Sequence, residues 1–305
     1  MKELILITGF LGSGKTTVIK ELLTQFSDKK IGLIVNEFGT INIDSEILST
    51  QGNVLQELSN GSIFCSCLKD KFLESLIEVS KRDVNTVFIE ASGMADPANM
   101  NTIVQTINKL CLEPYYYRGS LSIVDGMFFS KLSKVLISLR NQILYASAVI
   151  INKIDLIDNS MISEIENIIA EINPETTIYK TSFGNIDYKD VISSMVPVEL
   201  NGISSNTVDN RLKSFVLKSQ ELINLEDFKE FMSKIANKTY RVKGFVITNE
   251  GIIEVQGVNE QIVYNKWPNE IDESHIVIIS SVGINLISDI LALNNELLHK
   301  AFIIK

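Results

Sequence analysis

At 305 residues with 45% hydrophobic content, the chain has the length for two ordinary domains and the apolar content of a well-buried globular protein, which excludes a disordered polymer. Its 28 basic residues against 37 acidic ones give a formal net charge of −9, and no lysine- or arginine-rich block is present, so nucleic acid and anionic membrane surfaces are excluded as main partners. Three cysteines make no disulfide framework, no run approaches the roughly eighteen apolar residues of a membrane span, and the N-terminus lacks a signal-peptide layout, so a reducing, cytoplasmic setting is expected.

The first predicted element is a buried strand from Leu4, which runs into a glycine-rich turn ending on Lys15, Thr16 and Thr17. Gly9, Gly14, Lys15 and Thr16 fill the pattern G-x-x-x-x-G-K-S/T. Glycine lets the backbone turn with positive φ and approach an anion closely, so that successive N–H groups point at a phosphate. Lys15 brings a mobile positive charge to the β/γ oxygens, and the Thr16 hydroxyl is a ligand for Mg²⁺. An amphipathic helix follows (Val18, Leu22, Leu23, Phe26), aiming its positive dipole end at the same point. This spacing predicts a nucleotide-phosphate site.

Ile31 to Val35 is a second apolar strand, delivering Asn36, Glu37, Phe38 and Gly39 at its carboxyl end, where parallel sheets bind ligands. The loop beyond it carries Asp44 and Glu46 and reads either as a switch segment that senses Mg²⁺ and the γ-phosphate or as an ordinary solvated connection. After Leu55 to Leu58 come Cys65 and Cys67, one residue apart, ahead of a helix through Phe72, Leu76 and Val79. As thiolates they are soft ligands for Zn²⁺, Co²⁺ or Ni²⁺, but one such pair cannot complete a tetrahedral site, and two structural cysteines are the alternative.

Thr86 to Ile89 has the all-apolar character of a doubly covered parallel strand and ends in EASGMADP. Glu90 stands where a phosphate-loop enzyme places the acidic group that holds Mg²⁺ or its water. Gly93 lets backbone come near a γ-phosphate. Asp96 is expected as an N-cap with Pro97 at the first helical position of a helix to Leu110. Cys111 is expected in the core, PYYYRG is expected as a turn, and Leu121 to Val124 as a strand ending at Asp125. Ala148 to Ile151 then feeds Asn152, Lys153, Ile154 and Asp155. The Asp155 carboxylate can accept from the N1–H and exocyclic amine of guanine, a pairing adenine lacks. Asn152 ties the base edge to the phosphate loop, and the Lys153 stem can lie over the base plane. Thr177 to Lys180 is a further strand, with Thr181, Ser182 and Phe183 placed for backbone contact with the base.

The polar stretch 196–210, holding Pro, Gly and Ser without helical or strand period, reads as a linker. Beyond it, alternating strands and two amphipathic helices (Leu225 to Ala236, Leu286 to Leu293) make a small α+β domain with no catalytic cluster. The expected organisation is therefore α/β, a P-loop NTPase with a mostly parallel sheet covered by helices over 1–197, a linker over 198–212, and a smaller α+β domain over 213–305.

GFLGSGKTT, NEFG, EASGMADP and NKID in this order resemble the CobW-type metallochaperone GTPases, and RVKGFV (Arg241 to Val246) is similar to a strand of that family's C-terminal domain. The resemblance implies a cytoplasmic protein that binds GTP and GDP with Mg²⁺, Gly12, Ser13, Gly14, Lys15, Thr16 and Thr17 cradling phosphate, and Gly93 near the γ-phosphate. Lys15, Thr16 and Glu90 would form the hydrolytic centre. Asn152, Lys153 and Asp155 would read guanine, and Glu37, Cys65 and Cys67 would bind Zn²⁺, Co²⁺ or Ni²⁺ for a client metalloprotein. Related GTPases also pair as homodimers across the nucleotide face. The chain departs from the family at Gly61 to Cys65, where only Cys65 falls on a family cysteine position, and at Thr40, where an acidic residue is usual. A histidine-rich loop is absent. The alternative is a nucleotide-dependent protein-binding switch, for example for a cobalamin enzyme, without metal cargo.

Overall fold

The computed structural model describes residues 1–35, 54–57, 69–198, 212–258 and 260–305. The chain divides into two compact units, Met1–Val208 and Asp209–Lys305. The linker expected at 198–212 lies almost wholly outside the described residues.

The first unit is a seven-stranded sheet in the order β3-β2-β4-β1-β5-β6-β7, with every described pairing parallel. Its strands are β1 (Lys2–Gly9), β2 (Ile31–Val35), β3 (Val54–Glu57), β4 (Thr86–Glu90), β5 (Tyr115–Asp125), β6 (Ala148–Asn152) and β7 (Thr177–Lys180). Parallel strands need crossovers, and the helices that supply them cover both faces, so β2, β4 and β6 are buried at every position. The pleat sorts β1 between two cores. Ile5 and Ile7 pack with Val18, Ile19 and Leu22 of α1 (Lys15–Gln25) and with Val191 of α7 (Tyr188–Ser194). Leu4 and Leu6 pack with Phe72 and Leu76 of α2 (Lys69–Ser80) and with Ile103 of α3 (Met100–Ile107). Between β5 and β7 lie α4 (Phe129–Leu132), α5 (Ile137–Leu144) and α6 (Asn159–Ile172).

Three local expectations are corrected. PYYYRG is no turn: from Tyr115 it is the first half of an eleven-residue strand. Tyr115 is buried, its hydroxyl donates to Leu76 O at 2.6 Å, and burial pushes the phenol well above its usual range. The helix expected from Pro97 begins as a 3-10 turn (Pro97–Asn99) and ends as an α-helix at Ile107, with Asp96 capping it by accepting from Ala98 N–H. Cys111 is half-buried against the second core rather than inside it, and desolvation raises its thiol pKa.

The second unit is a six-stranded antiparallel sheet in the order β11-β10-β9-β12-β8-β13, built from β8 (Ser214–Ser219), β9 (Thr239–Thr248), β10 (Gly251–Val258), β11 (Gln261–Lys266), β12 (Ser274–Ser280) and β13 (Ile303–Ile304). One face carries α8 (Leu225–Ile235) and α9 (Leu286–Glu296), whose Phe228, Phe231, Met232, Leu286 and Ile290 join Val242, Val246, Val255, Ile276 and Ile278 in a third core. Among the described residues, no helix is long and apolar enough to cross a membrane.

Candidate functional site: the carboxyl edge of the parallel sheet

The phosphate loop leaves β1 at Gly9 and enters α1 through Gly14, the N-cap, whose φ of +98° is left-handed. A Cβ at Gly14 would collide with the Asn152 side-chain amide, so both conformation and space demand glycine there. Phe10 O accepts from Ser13 N–H at 3.2 Å, and Gly14 O from Val18 N–H at 2.9 Å, which joins the loop to the first helical turn. The Lys15 ammonium lies inside the loop and donates to Gly9 O at 2.9 Å and Phe10 O at 3.1 Å. Thr16 is half-buried and Thr17 exposed at the start of α1.

Glu90 ends β4, in register with Ile7 on one side and Val35 on the other, and is buried. Ala91 N–H then donates to Ile7 O at 2.9 Å, which carries the segment across the end of β1. Gly93 touches the phosphate loop: a Cβ there would sit 2.7 Å from Leu11 N and 2.6 Å from a Leu11 methyl. This segment is fixed from α5. Gln142, only 2% exposed, donates to Gly93 O at 3.3 Å and Ala95 O at 2.8 Å, and Asn141 donates to the Asp96 carboxylate at 2.9 Å. The hydroxyls of Thr8, Ser13 and Ser92 are buried here with no hydrogen-bond partner among the described residues.

On the other side of β1, Asn152 is buried and donates from Nδ2 to Ser13 O at 2.9 Å, while its Oδ1 accepts from Gly184 N–H at 3.3 Å. The expected tie between NKID and the phosphate loop is therefore a direct side-chain bond. Lys153 takes a left-handed φ of +64°, and its ammonium donates to the Asp125 carboxylate at 2.7 Å. The other Asp125 oxygen accepts from Met127 N–H at 2.9 Å. Asp155 follows in a 3-10 turn, exposed. Ile154 N–H donates to Thr181 O at 3.3 Å, which lays the loop after β7 alongside.

The edge thus gathers Gly12 to Thr17, Glu90, Gly93, Asn152, Lys153 and Asp155 around the ends of β1, β4 and β6. Asn36, Glu37, Phe38, Gly39, Asp44, Glu46, Cys65 and Cys67 lie outside the described residues. Among the described residues, no group of three or more His, Cys, Asp or Glu side chains is placed to hold a metal ion. Sequence reasoning missed Asp125, Asn141 and Gln142. Only Asp125 carried a signal, as an acid at the carboxyl end of a buried strand beside NKID.

Residues 3–180 match the family model described as CobW/HypB/UreG, nucleotide-binding domain, and residues 212–293 match the cobalamin synthesis protein cobW C-terminal domain. The chain is 26% identical to the zinc chaperone YjiA of Escherichia coli, over 79% of this chain and 80% of that protein. It is also 26% identical to zinc-regulated GTPase metalloprotein activator 1 of Saccharomyces cerevisiae, over 88% of this chain and 77% of that one. The crystal structure of Zn(II)-bound YjiA GTPase from E. coli shares the fold, with a TM-score of 0.50 and 23% identity over 97% of this chain and 98% of that one.

Proposed function

Because the chain belongs to the CobW/HypB/UreG family, we propose that it is a cytoplasmic GTPase that couples its nucleotide state to delivery of a transition metal, zinc foremost, to a client protein. The observation that carries the reading is the bond from Asn152 to Ser13 O: one side chain joins the strand that presents Asp155 to the loop that would cradle phosphate. Base and triphosphate are then held at a fixed separation, which suits a nucleoside triphosphate rather than phosphate alone.

Mg²⁺ fits the donors present. Thr16 and Glu90 are hard oxygen donors beside the loop, and the buried Thr8 and Ser92 hydroxyls leave hydrogen-bonding capacity for its waters. When bound, Mg²⁺ supplies charge neutralisation on the β and γ oxygens. The residues do the rest. The backbone of Gly12 to Thr17 cradles the β-phosphate, with Ser13 N–H kept for Phe10 O, and Lys15 exchanges the loop carbonyls for phosphate oxygens, where it stabilises charge that develops on the transferring phosphoryl group. Gly93, held in place by Gln142, brings its N–H toward the γ-phosphate. Asp155 accepts from guanine, and Lys153, steadied by Asp125, lays its stem along the base. No arginine finger or catalytic base is identifiable among these residues, so intrinsic turnover is slow. Release of the γ-phosphate is coupled by linkage to metal affinity at Glu37, Cys65 and Cys67.

The altered cysteine pattern favours a second reading, a nucleotide-dependent switch that activates a partner without metal cargo. One experiment separates them: GTP hydrolysis and bound zinc measured on the wild type, Lys15→Ala and the Cys65→Ser, Cys67→Ser double variant. Lys15→Ala should lower turnover by about a hundred- to a thousandfold. Equal rates would overturn the GTPase assignment. The double variant should hydrolyse GTP and lose stoichiometric zinc, whereas a wild type that binds none puts the switch ahead.

A further inference from the structure

Phe183 combines two features that the free protein does not explain. The residue is 74% exposed, and its φ is +56°. A lone exposed aromatic is ordinary, but a left-handed backbone at a bulky residue is not, because Cβ is crowded by the following carbonyl. Such strain persists only where the surroundings over-determine it, and it gathers at ligand sites. Here they do. Thr181 N–H donates to Ile151 O at 2.9 Å, Asn185 N–H to Ser182 O at 3.2 Å, Gly184 N–H to the Asn152 side chain at 3.3 Å, and the Tyr188 hydroxyl to Gly184 O at 2.6 Å. The chain is pinned on both sides of Phe183 and the ring is turned outward. Ile154 N–H donates to Thr181 O at 3.3 Å, so the loop that carries Phe183 and the turn that carries Asp155 are joined backbone to backbone.

We propose that Phe183 stacks on the face of the bound purine, a role that rests on the guanine-nucleotide reading above. Asp155 meets the edge of the base and discriminates, but hydrogen bonds at an edge leave the flat apolar surface of a purine in water. An aromatic ring held outward by its own backbone covers that surface without ordering cost, and stacking is indifferent to the edge. Affinity and selectivity therefore belong to different residues of adjacent loops. The strain at Phe183 is the cost of presenting the ring before the ligand arrives.

The test is calorimetric titration of the full chain with GDP, GTP and IDP, which lacks the exocyclic amine. Phe183→Ala should weaken GDP and GTP by the same factor, about five- to a hundredfold, and keep the preference for GDP over IDP. Phe183→Trp should bind like the wild type, with an indole fluorescence that changes on adding GDP. Phe183→Gly, which relieves the left-handed strain, should melt no lower than the wild type yet bind as weakly as the alanine variant, so that lost affinity is not mistaken for misfolding. Asp155→Ala should lose the GDP preference. Wild-type GDP affinity in Phe183→Ala or Phe183→Gly, with Asp155→Ala impaired, overturns the stack and leaves the guanine reading standing. Wild-type behaviour in all of them overturns the guanine reading itself.

Discussion

In the parallel sheet, polarity begins where strands stop: β1 runs buried to Gly9, β4 to Glu90 and β6 to Asn152, and the chemistry-bearing residues come at or just past those ends. In the antiparallel sheet, polarity alternates along the strands. β9 and β12 bury every second residue against α8 and α9 and leave Arg241, Lys243 and His275 among the residues of the other face. The difference follows from how many faces are covered. A sheet roofed on both sides leaves few places for solvated polar side chains except its edges, and in a parallel sheet the carboxyl ends all fall on one edge. A sheet roofed on one side keeps a second, partly exposed face, where Arg241, Lys243 and His275 stand among Phe245, Ile247, Val277 and Ile279 and are not gathered at one edge. One unit gathers polar groups at an edge and the other does not.

The largest effect that would test this contrast lies in the second unit. Phe228 is fully buried, with ring centroids of Phe231, Tyr264 and Phe302 at 6.4, 6.4 and 6.3 Å. Phe228→Ala should cost about 3–5 kcal/mol of that unit's stability, read as an earlier melting transition, while GDP affinity measured below that transition is retained. If GDP affinity falls with it, the separation of roles between the sheets is wrong.

A smaller effect would sharpen the contrast at the gathered edge. Asn152→Ala deletes the bond to Ser13 O and leaves a buried carbonyl unpaired, a loss of about 1–3 kcal/mol. Because the same side chain bonds both the phosphate loop and Gly184 of the loop after β7, GDP affinity should drop together with thermal stability. Titration and melting of one sample would check it. Stability lost with affinity intact would make Asn152 a core residue only.

How far the sequence could be read follows the same division. Apolar runs such as Ile31 to Val35 and Ala148 to Ile151 mark doubly covered strands without ambiguity, and the phosphate loop and NKID are local patterns whose spacing carries their chemistry. PYYYRG misled because Pro114 and Gly119 look like turn punctuation, although tyrosine favours strands and Gly119, at φ +121°, falls in a strand whose register with β1 shifts between Leu4 and Ile5. Asn141 and Gln142 were invisible as site residues, and Asp125 showed only as an acid at a strand end, for another reason. Their partners Lys153, Asp96, Gly93 and Ala95 are brought near by the sheet rather than by the chain, and no local periodicity records that.

The smallest effect is acid titration of a second aspartate, three residues beyond Asp155. Asp155 is left open to solvent, whereas Asp158 caps α6: its Oδ1 accepts from Met161 N–H at 2.9 Å and from the Ser160 hydroxyl at 2.6 Å. The Ser160 bond first and the Met161 bond second hold the Asp158 carboxyl below the ordinary aspartate range. A depressed folded pKa means that the carboxylate contributes stability above the unfolded value, and that this contribution is lost as pH falls through the folded one. Asp158 is exposed, so the effect is small, and a difference measurement is needed to see it. The gap in melting temperature between the wild type and Asp158→Ala should be widest near neutral pH and narrow as pH falls from about 5 to about 3, where other carboxylates titrate alike in both proteins and cancel. A gap that stays constant through that range would mean the cap acts through its shape and not its charge. Asp158 would then have no part in the electrostatics of the edge that carries Asp155.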